Sequence, residues 1–156
     1  MADIEIVEVP QQMVISVQRT GSYKEMGKAF ADLGGYAVSK SAEFVGAPFV
    51  LMHEQGQAEA EKADAEGTAI IDVNFPIAAR IDESDEFKIR ELPAASMAKI
   101  VHMGSYDGLG ATYQELFGWI YSNGKQQAGP IREVYLNDPN EVKPEDLITE
   151  IYVPVA

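Results

Sequence analysis

The chain repeats itself. At a constant offset of 83 residues, Pro10 recurs as Pro93, Gly21-Ser22-Tyr23 as Gly104-Ser105-Tyr106, Gly27 as Gly110, Leu33 as Leu116 and Gly46 as Gly129. Aromatic character is kept where identity is not, with Phe30 against Tyr113 and Tyr36 against Trp119. The ends also agree, Phe75-Pro76-Ile77-Ala78 against Val153-Pro154-Val155-Ala156, if the first half carries a five-residue insertion. Whatever fold residues 4–78 adopt, residues 87–156 must adopt again.

Each half reads in the same way. A short strand (Ile4 to Glu8; Phe87 to Glu91) is followed by a proline and a second strand (Met13 to Thr20; Met97 to Met103). The Gly-Ser-Tyr turn offers an N-cap serine to a helix. In the second helix Leu109, Tyr113, Leu116, Phe117 and Ile120 form one apolar stripe at helical spacing, and Met26, Phe30, Leu33 and Ala37 repeat it in the first. Asn123-Gly124 is a helix stop. Two strands then close each half, Phe49 to His53 with Thr68 to Phe75, and Ile131 to Leu136 with Ile148 to Val153, each second strand expected to end before a proline. The expectation is an α+β fold: duplicated strand–helix–strand–strand units about a pseudo-twofold axis, with an antiparallel sheet and two helices on one face. One half has too few elements to close a core, so residues 1–156 are read as a single domain, with a cleft at the axis.

The connectors carry little chemistry. Gln55 to Gly67 is Ala- and Glu-rich and is read as a polar turn. Ala78 to Glu86, with its acidic run, is read as a solvated join, and Pro139 to Glu145 as a hairpin connector.

At 156 residues the chain is long enough to bury roughly 68–70% of its unfolded surface. No apolar run approaches the roughly 18 residues of a membrane span, and Met-Ala-Asp-Ile-Glu-Ile does not read as a signal peptide. Cysteine is absent, which excludes disulfides and thiolate metal sites and makes cytoplasmic residence the default. A net charge of −13 without a Lys/Arg cluster argues against direct nucleic-acid binding and favours cationic ligands at long range.

The chemistry concentrates in Gly129-Pro130-Ile131-Arg132-Glu133-Val134-Tyr135-Leu136-Asn137. Alternation puts Ile131, Glu133 and Tyr135 on one face and Arg132, Val134 and Leu136 on the other. Val134 and Leu136 read as the pair under the helices, leaving Glu133 and Tyr135 on the open side. A carboxylate in mid-strand is costly to bury unpaired, so it marks either a solvated face or a ligand site. By the offset its counterpart is Val50, and that of Tyr135 is Met52; only one half carries the charge.

These residues, with the Gly-Ser-Tyr turn, the helix from Thr112 to Gly118 followed by Trp119, and the closing Thr149-Glu150-Ile151-Tyr152-Val153-Pro154-Val155, resemble the GyrI-like small-molecule-binding domains. That family includes effector-binding halves of multidrug-responsive and AraC-type regulators, besides stand-alone proteins. The resemblance covers nearly the whole chain, most closely residues 87–155. It implies a ligand cleft at the pseudo-twofold axis, walled by aromatic side chains, in which a strand glutamate at the place of Glu133 serves lipophilic cations. Some stand-alone members hydrolyse cyclopropane-bearing alkylating compounds with that glutamate.

The expected ligand-binding set is therefore Glu133, Tyr135, Trp119, Tyr152, Val50, Met52 and Tyr113, with Glu133 also the catalytic residue if the chain is an enzyme. Trp119 lies one residue off the core stripe, where it either flanks the cleft or completes the core. Tyr152 alternates with Ile151 and Val153 and is expected on the face of Glu133. Tyr106 and Tyr113 also have plain structural readings.

His53 and His102 lack metal-ligand spacing and read as ordinary sheet residues, so no metal or cofactor is expected. Ser96-Met97-Ala98-Lys99 matches a serine–lysine hydrolase pattern without its companion motifs, and Gly108-Leu109-Gly110 lacks the third glycine of a dinucleotide site.

The functional expectation is binding of small hydrophobic, often cationic molecules, for drug sequestration or effector sensing. The alternatives are a hydrolase of strained rings using the same glutamate and, on the family name alone, a protein inhibitor of a topoisomerase-like partner. No DNA-binding helix-turn-helix is read in the chain, and any regulator or enzyme partner is left unspecified.

Overall fold

The structure, a computed structural model, describes residues 3–54 and 56–156. Met1 and Ala2, with which the N-terminal reading begins, and Gln55, the first residue of the expected polar turn, lie outside the described residues. The first half runs β1 (Glu5–Val9), β2 (Gln12–Gly21), a 3-10 turn (Tyr23–Glu25), α1 (Met26–Ser39), β3 (Phe49–Met52), α2 (Gly56–Glu66) and β4 (Ala69–Pro76). The second runs β5 (Lys88–Leu92), β6 (Ala95–Met103), a 3-10 turn (Tyr106–Gly108), α3 (Leu109–Ser122), β7 (Ile131–Tyr135), a 3-10 turn (Pro144–Asp146) and β8 (Ile148–Pro154). The fold is α+β, and the strand–helix–strand–strand unit occurs twice.

The strands form one antiparallel sheet in the order β1-β6-β8-β7-β3-β4-β2-β5. The order reads identically from either end once each strand is exchanged for its repeat counterpart. Each half supplies its first strand to the other, β1 pairing with β6 and β5 with β2. At the centre β3 pairs with β7, and the register sets Val50 opposite Glu133. These are the two residues related by the 83-residue offset, so the pseudo-twofold axis passes between them.

Helices α1 and α3 bury Leu33 and Ala37, and Leu116, Phe117 and Ile120, of the expected stripes; Met26, Phe30, Leu109 and Tyr113 are partly buried against the same core, and Ala29, outside the expected stripe, is buried as well. Both pack on one sheet face with Ile15, Val17, Val50, Met52, Ile71, Val73, Ile100 and Ile151. Gly124 ends α3 in the left-handed region (φ 72°), and Ser41 holds the equivalent place after α1 (φ 59°).

Three expectations are corrected. The stretch read as a polar turn between the third and fourth strands contains an eleven-residue helix, α2. Its sequence, GQAEAEKADAE, is rich in strong helix formers and stops before Gly67 at φ 71°. It buries little beyond Ala63, so apolar periodicity gave no signal for it. Secondly, β4 and β8 end on Pro76 and Pro154 rather than before them. A proline cannot donate but does accept, and the two carbonyls take the N–H groups of Val45 (3.0 Å) and Ala128 (2.7 Å).

The third correction concerns faces. Glu133 and Tyr135 lie on the helix side of β7, while Val134 joins Val14, Phe49, Leu51 and Leu92 in a second apolar cluster on the opposite side. Leu136, expected under the helices, lies beyond the strand and is largely exposed. The central strands are buried on both faces, β3 at every position, so an apolar residue there does not reveal which face holds the helices.

Candidate functional site

Glu133 lies on the axis, on the helix side of the sheet, and is 5% exposed. Both carboxylate oxygens are answered by phenols. Tyr135, two residues along the same face, donates to Oε1 at 2.7 Å, and Tyr113, from the middle of α3, donates to Oε2. The Tyr135 hydroxyl also lies 3.7 Å from Met26 Sδ at the start of α1. Its ring meets Phe30 edge-on at 5.7 Å and Tyr106 at 6.1 Å. Phe30 and Tyr113 are offset partners, as are Tyr23 and Tyr106. The duplication thus brings matched aromatic pairs to the axis from both halves.

The electrostatics follow from burial. Desolvation pushes the Glu133 carboxyl above the ordinary range, while the hydrogen bonds from Tyr113 and Tyr135 and the nearness of His102 pull it partly back. Burial, then the charge of Glu133, raises the phenols of Tyr113 and Tyr135 well above their usual value. Tyr106 is raised by burial and then by Glu133 and Asp138. These phenols remain protonated donors, which suits them to hold a carboxylate. Among the described residues no Lys or Arg forms an ion pair with Glu133.

Of the residues expected from sequence, Glu133, Tyr135 and Tyr113 are in direct contact. Val50 lies beside Glu133 across the central strand pair, and Met52 lies further along the same face. Trp119 is half-buried against the helix-side core. Tyr152 does not join the site: it pairs with Arg132, not Glu133, and so points to the other face. There it donates to Glu150 at 3.1 Å under Lys99, whose ammonium lies 5.6 Å from the ring centroid. The helix side of β7 around Glu133 replaces the open sheet face as the candidate site.

Sequence reasoning missed Glu54, Tyr23 and Thr149. Glu54 continues the alternation of Val50 and Met52 onto the helix side and is 7% exposed. Its Oε1 accepts from Tyr23 at 2.8 Å and its Oε2 from the Ile70 N–H at 3.1 Å. The period of two along Val50, Met52 and Glu54 was the signal that could have found it. Thr149 pairs across the sheet with both Tyr135 and His102, and its fully buried hydroxyl has no hydrogen-bond partner among the described residues. His102 clamps the turn into α3, its ring nitrogens lying 2.7 Å from Thr112 Oγ1 and 2.8 Å from the Ser105 carbonyl. His53 faces away, 2.7 Å from a fully buried Asp72 that also accepts from Gln18 and Arg90. On that far side Ser16, Gln18, Lys88 and Arg90 line a depression of about 660 Å³ beside the acidic join, remote from Glu133.

Under the two helices, the axis of the duplicated sheet thus sets an apolar residue, Val50, against an acidic one, Glu133. The chain belongs to the GyrI-like family, whose pattern, described as a GyrI-like small molecule binding domain, matches residues 2–156. No curated protein matches the sequence. Solved structures share the fold. The C-terminal domain of EcmrR superposes with a TM-score of 0.88 at 18% identity, covering 100% of this chain and 98% of that one. A hydrolase from Listeria innocua gives 0.68 at 15% identity, over 99% and 92% of the two chains. SAV2435 bound to tetraphenylphosphonium gives 0.62 at 12%, over 99% and 94%. No helix among the described residues is long and apolar enough to cross a membrane.

Proposed function

We propose that the cleft between helices and sheet takes up small apolar cations, with Glu133 as the counter-charge, and that the chain serves in drug sequestration or effector sensing. The observation that carries this reading is a buried carboxylate enclosed by aromatic rings and held only by neutral donors. Such a group is costly to bury without a cationic partner, and a ligand is the partner the arrangement suits. Each ring facing the cation adds roughly 0.5–2 kcal/mol of cation–π attraction. The similarly folded protein solved with tetraphenylphosphonium lends support, since that ligand is itself a lipophilic cation. Calorimetric titration with tetraphenylphosphonium and with a neutral aromatic compound of similar size tests the reading. The cation is expected to bind one to one and at least about tenfold more tightly; equal affinity for both contradicts it.

A second reading is favoured by the raised proton affinity of Glu133, which suits a general base. In this reading Glu133 takes a proton from water as the oxygen bonds to a ring carbon of a strained cyclopropane. The ring C–C bond breaks, and its electron pair moves into the conjugated system of the compound, which recovers a proton. One structural neighbour is a hydrolase. Mass spectrometry of a cyclopropane-bearing compound after incubation separates the readings: a water adduct formed over many turnovers means enzyme, and unchanged compound held stoichiometrically means binder.

A further inference from the structure

The half that carries Glu133 also carries three residues that its repeat lacks. At the 83-residue offset His102 stands against Arg19, Gly108 against Glu25 and Thr112 against Ala29, beside the exchanges of Tyr113 for Phe30 and Glu133 for Val50. In the first half Arg19 reaches Asp32 of α1 at 3.4 Å and Glu86 of the join at 2.9 Å. Glu25 turns back to accept the Ser22 N–H at 3.2 Å, and Ala29 is buried with no polar side-chain group to offer. The turn into the helix is therefore built there without histidine, glycine or threonine at these places.

In the second half the three residues grip one another. His102 is 8% exposed, with Nε2 2.8 Å from the Ser105 carbonyl and Nδ1 2.7 Å from Thr112 Oγ1. A carbonyl only accepts, so Nε2 carries the proton, and in the neutral ring Nδ1 accepts from the Thr112 hydroxyl. Gly108 lies against the ring. A Cβ there would stand 3.1 Å from His102 Cε1, closer than carbon atoms ordinarily pack. Both residues that His102 bonds adjoin the site. Ser105 precedes Tyr106, whose ring lies 6.1 Å from that of Tyr135, and Thr112 precedes Tyr113, which donates to Glu133 Oε2. His102 also shares a cross-strand row with Thr149 and Tyr135.

We infer that His102 is a positioning residue for Glu133: held by Ser105, Gly108 and Thr112, it fixes the first turn of α3 and so keeps the Tyr113 phenol on the carboxylate. A phenol donating to the ionised form keeps Glu133 charged despite its burial. The inference deepens the proposed role of Glu133 as a counter-charge and rests on that reading for its purpose. The clamp occurs in one half because only that half has a carboxylate on the axis to hold.

The Glu133 carboxyl carbon, titrated by NMR on the ligand-free protein and assigned with Glu133→Gln, reads the clamp directly. Thr112→Val keeps the shape of the side chain and removes the hydroxyl. The titration midpoint of Glu133 should then rise toward that of Tyr113→Phe, by about one pH unit. His102→Phe should do the same, and Thr112→Ser, which keeps the hydroxyl, should titrate as the wild type. On the Tyr113→Phe background Thr112→Val should add nothing, because both act through one phenol. A Thr112→Val chain that melts earlier but titrates unchanged overturns the inference, since the clamp would only stabilise the helix start. A shift that persists without the Tyr113 hydroxyl overturns it too, since His102 would act on Glu133 by another route. Should Thr112→Val fail to fold by circular dichroism, the nitrogen-15 shifts of His102 in the wild type decide. A proton on Nε2 with Nδ1 accepting supports the clamp, and a neutral ring protonated at Nδ1 overturns it. Calorimetry of tetraphenylphosphonium with the wild type keeps the two claims apart: absence of binding overturns the cation reading, while the carboxyl titration still decides the clamp.

Discussion

A buried acid that is hydrogen-bonded but unpaired works against the fold that holds it. Burial raises the Glu133 carboxyl above its unfolded value of about 4.3, outweighing the two phenol hydrogen bonds. The sign follows: within the window between the unfolded and folded values the native state binds the proton more tightly, so stability falls as pH rises through it. Below that window the site contributes fully, and above it the ionised carboxylate lowers stability. Glu133→Gln is therefore expected to raise the melting temperature at neutral pH. The gain should shrink as pH is lowered toward 4. Thermal unfolding of both proteins across that range checks it; a variant less stable at pH 7 would mean that the phenol hydrogen bonds outweigh the burial of the charge.

At the scale of elements, the duplication made most of the fold legible. The order of strands and helices, the two helical stripes and the stop at Gly124 follow from matched residues. What was not legible has physical reasons. Helix α2 is polar throughout, so only propensity marked it, and Gln55 to Gly67 read as a turn. The inverted face of β7 came from treating Val134 as a core signal, where both sides of a central strand are apolar. Tyr152 was misplaced by the same one-residue ambiguity, since a slip of one exchanges every side chain. The duplication also supports an element-scale prediction. Ser41 holds a left-handed conformation where its counterpart is Gly124. Ser41→Gly should stabilise the chain by about 1 kcal/mol, because a side chain is strained in that region. Urea unfolding measures it, and a loss of stability would show that glycine's freedom in the unfolded chain dominates.

For the whole molecule, symmetry decides which residues meet at the centre of the sheet. Equivalent residues meet across the central strand pair, so a single substitution between copies, valine in one and glutamate in the other, puts one charge on the axis of an otherwise paired aromatic wall. The net charge of −13 draws cations toward the chain at low salt, and in the proposed reading selection among them falls to Glu133 and the rings around it. In the proposed function Glu133 acts as the counter-charge to a cation. The most direct measurement is the affinity of matched cationic and neutral fluorescent dyes for the wild type and for Glu133→Gln, titrated at several pH values. Glu133→Gln is expected to weaken the cationic dye alone, by about 2–5 kcal/mol. Wild-type affinity for that dye is expected to fall as pH drops through the raised carboxyl value, and the variant to lose this dependence. Equal weakening of both dyes, or a pH response unchanged in the variant, would contradict it.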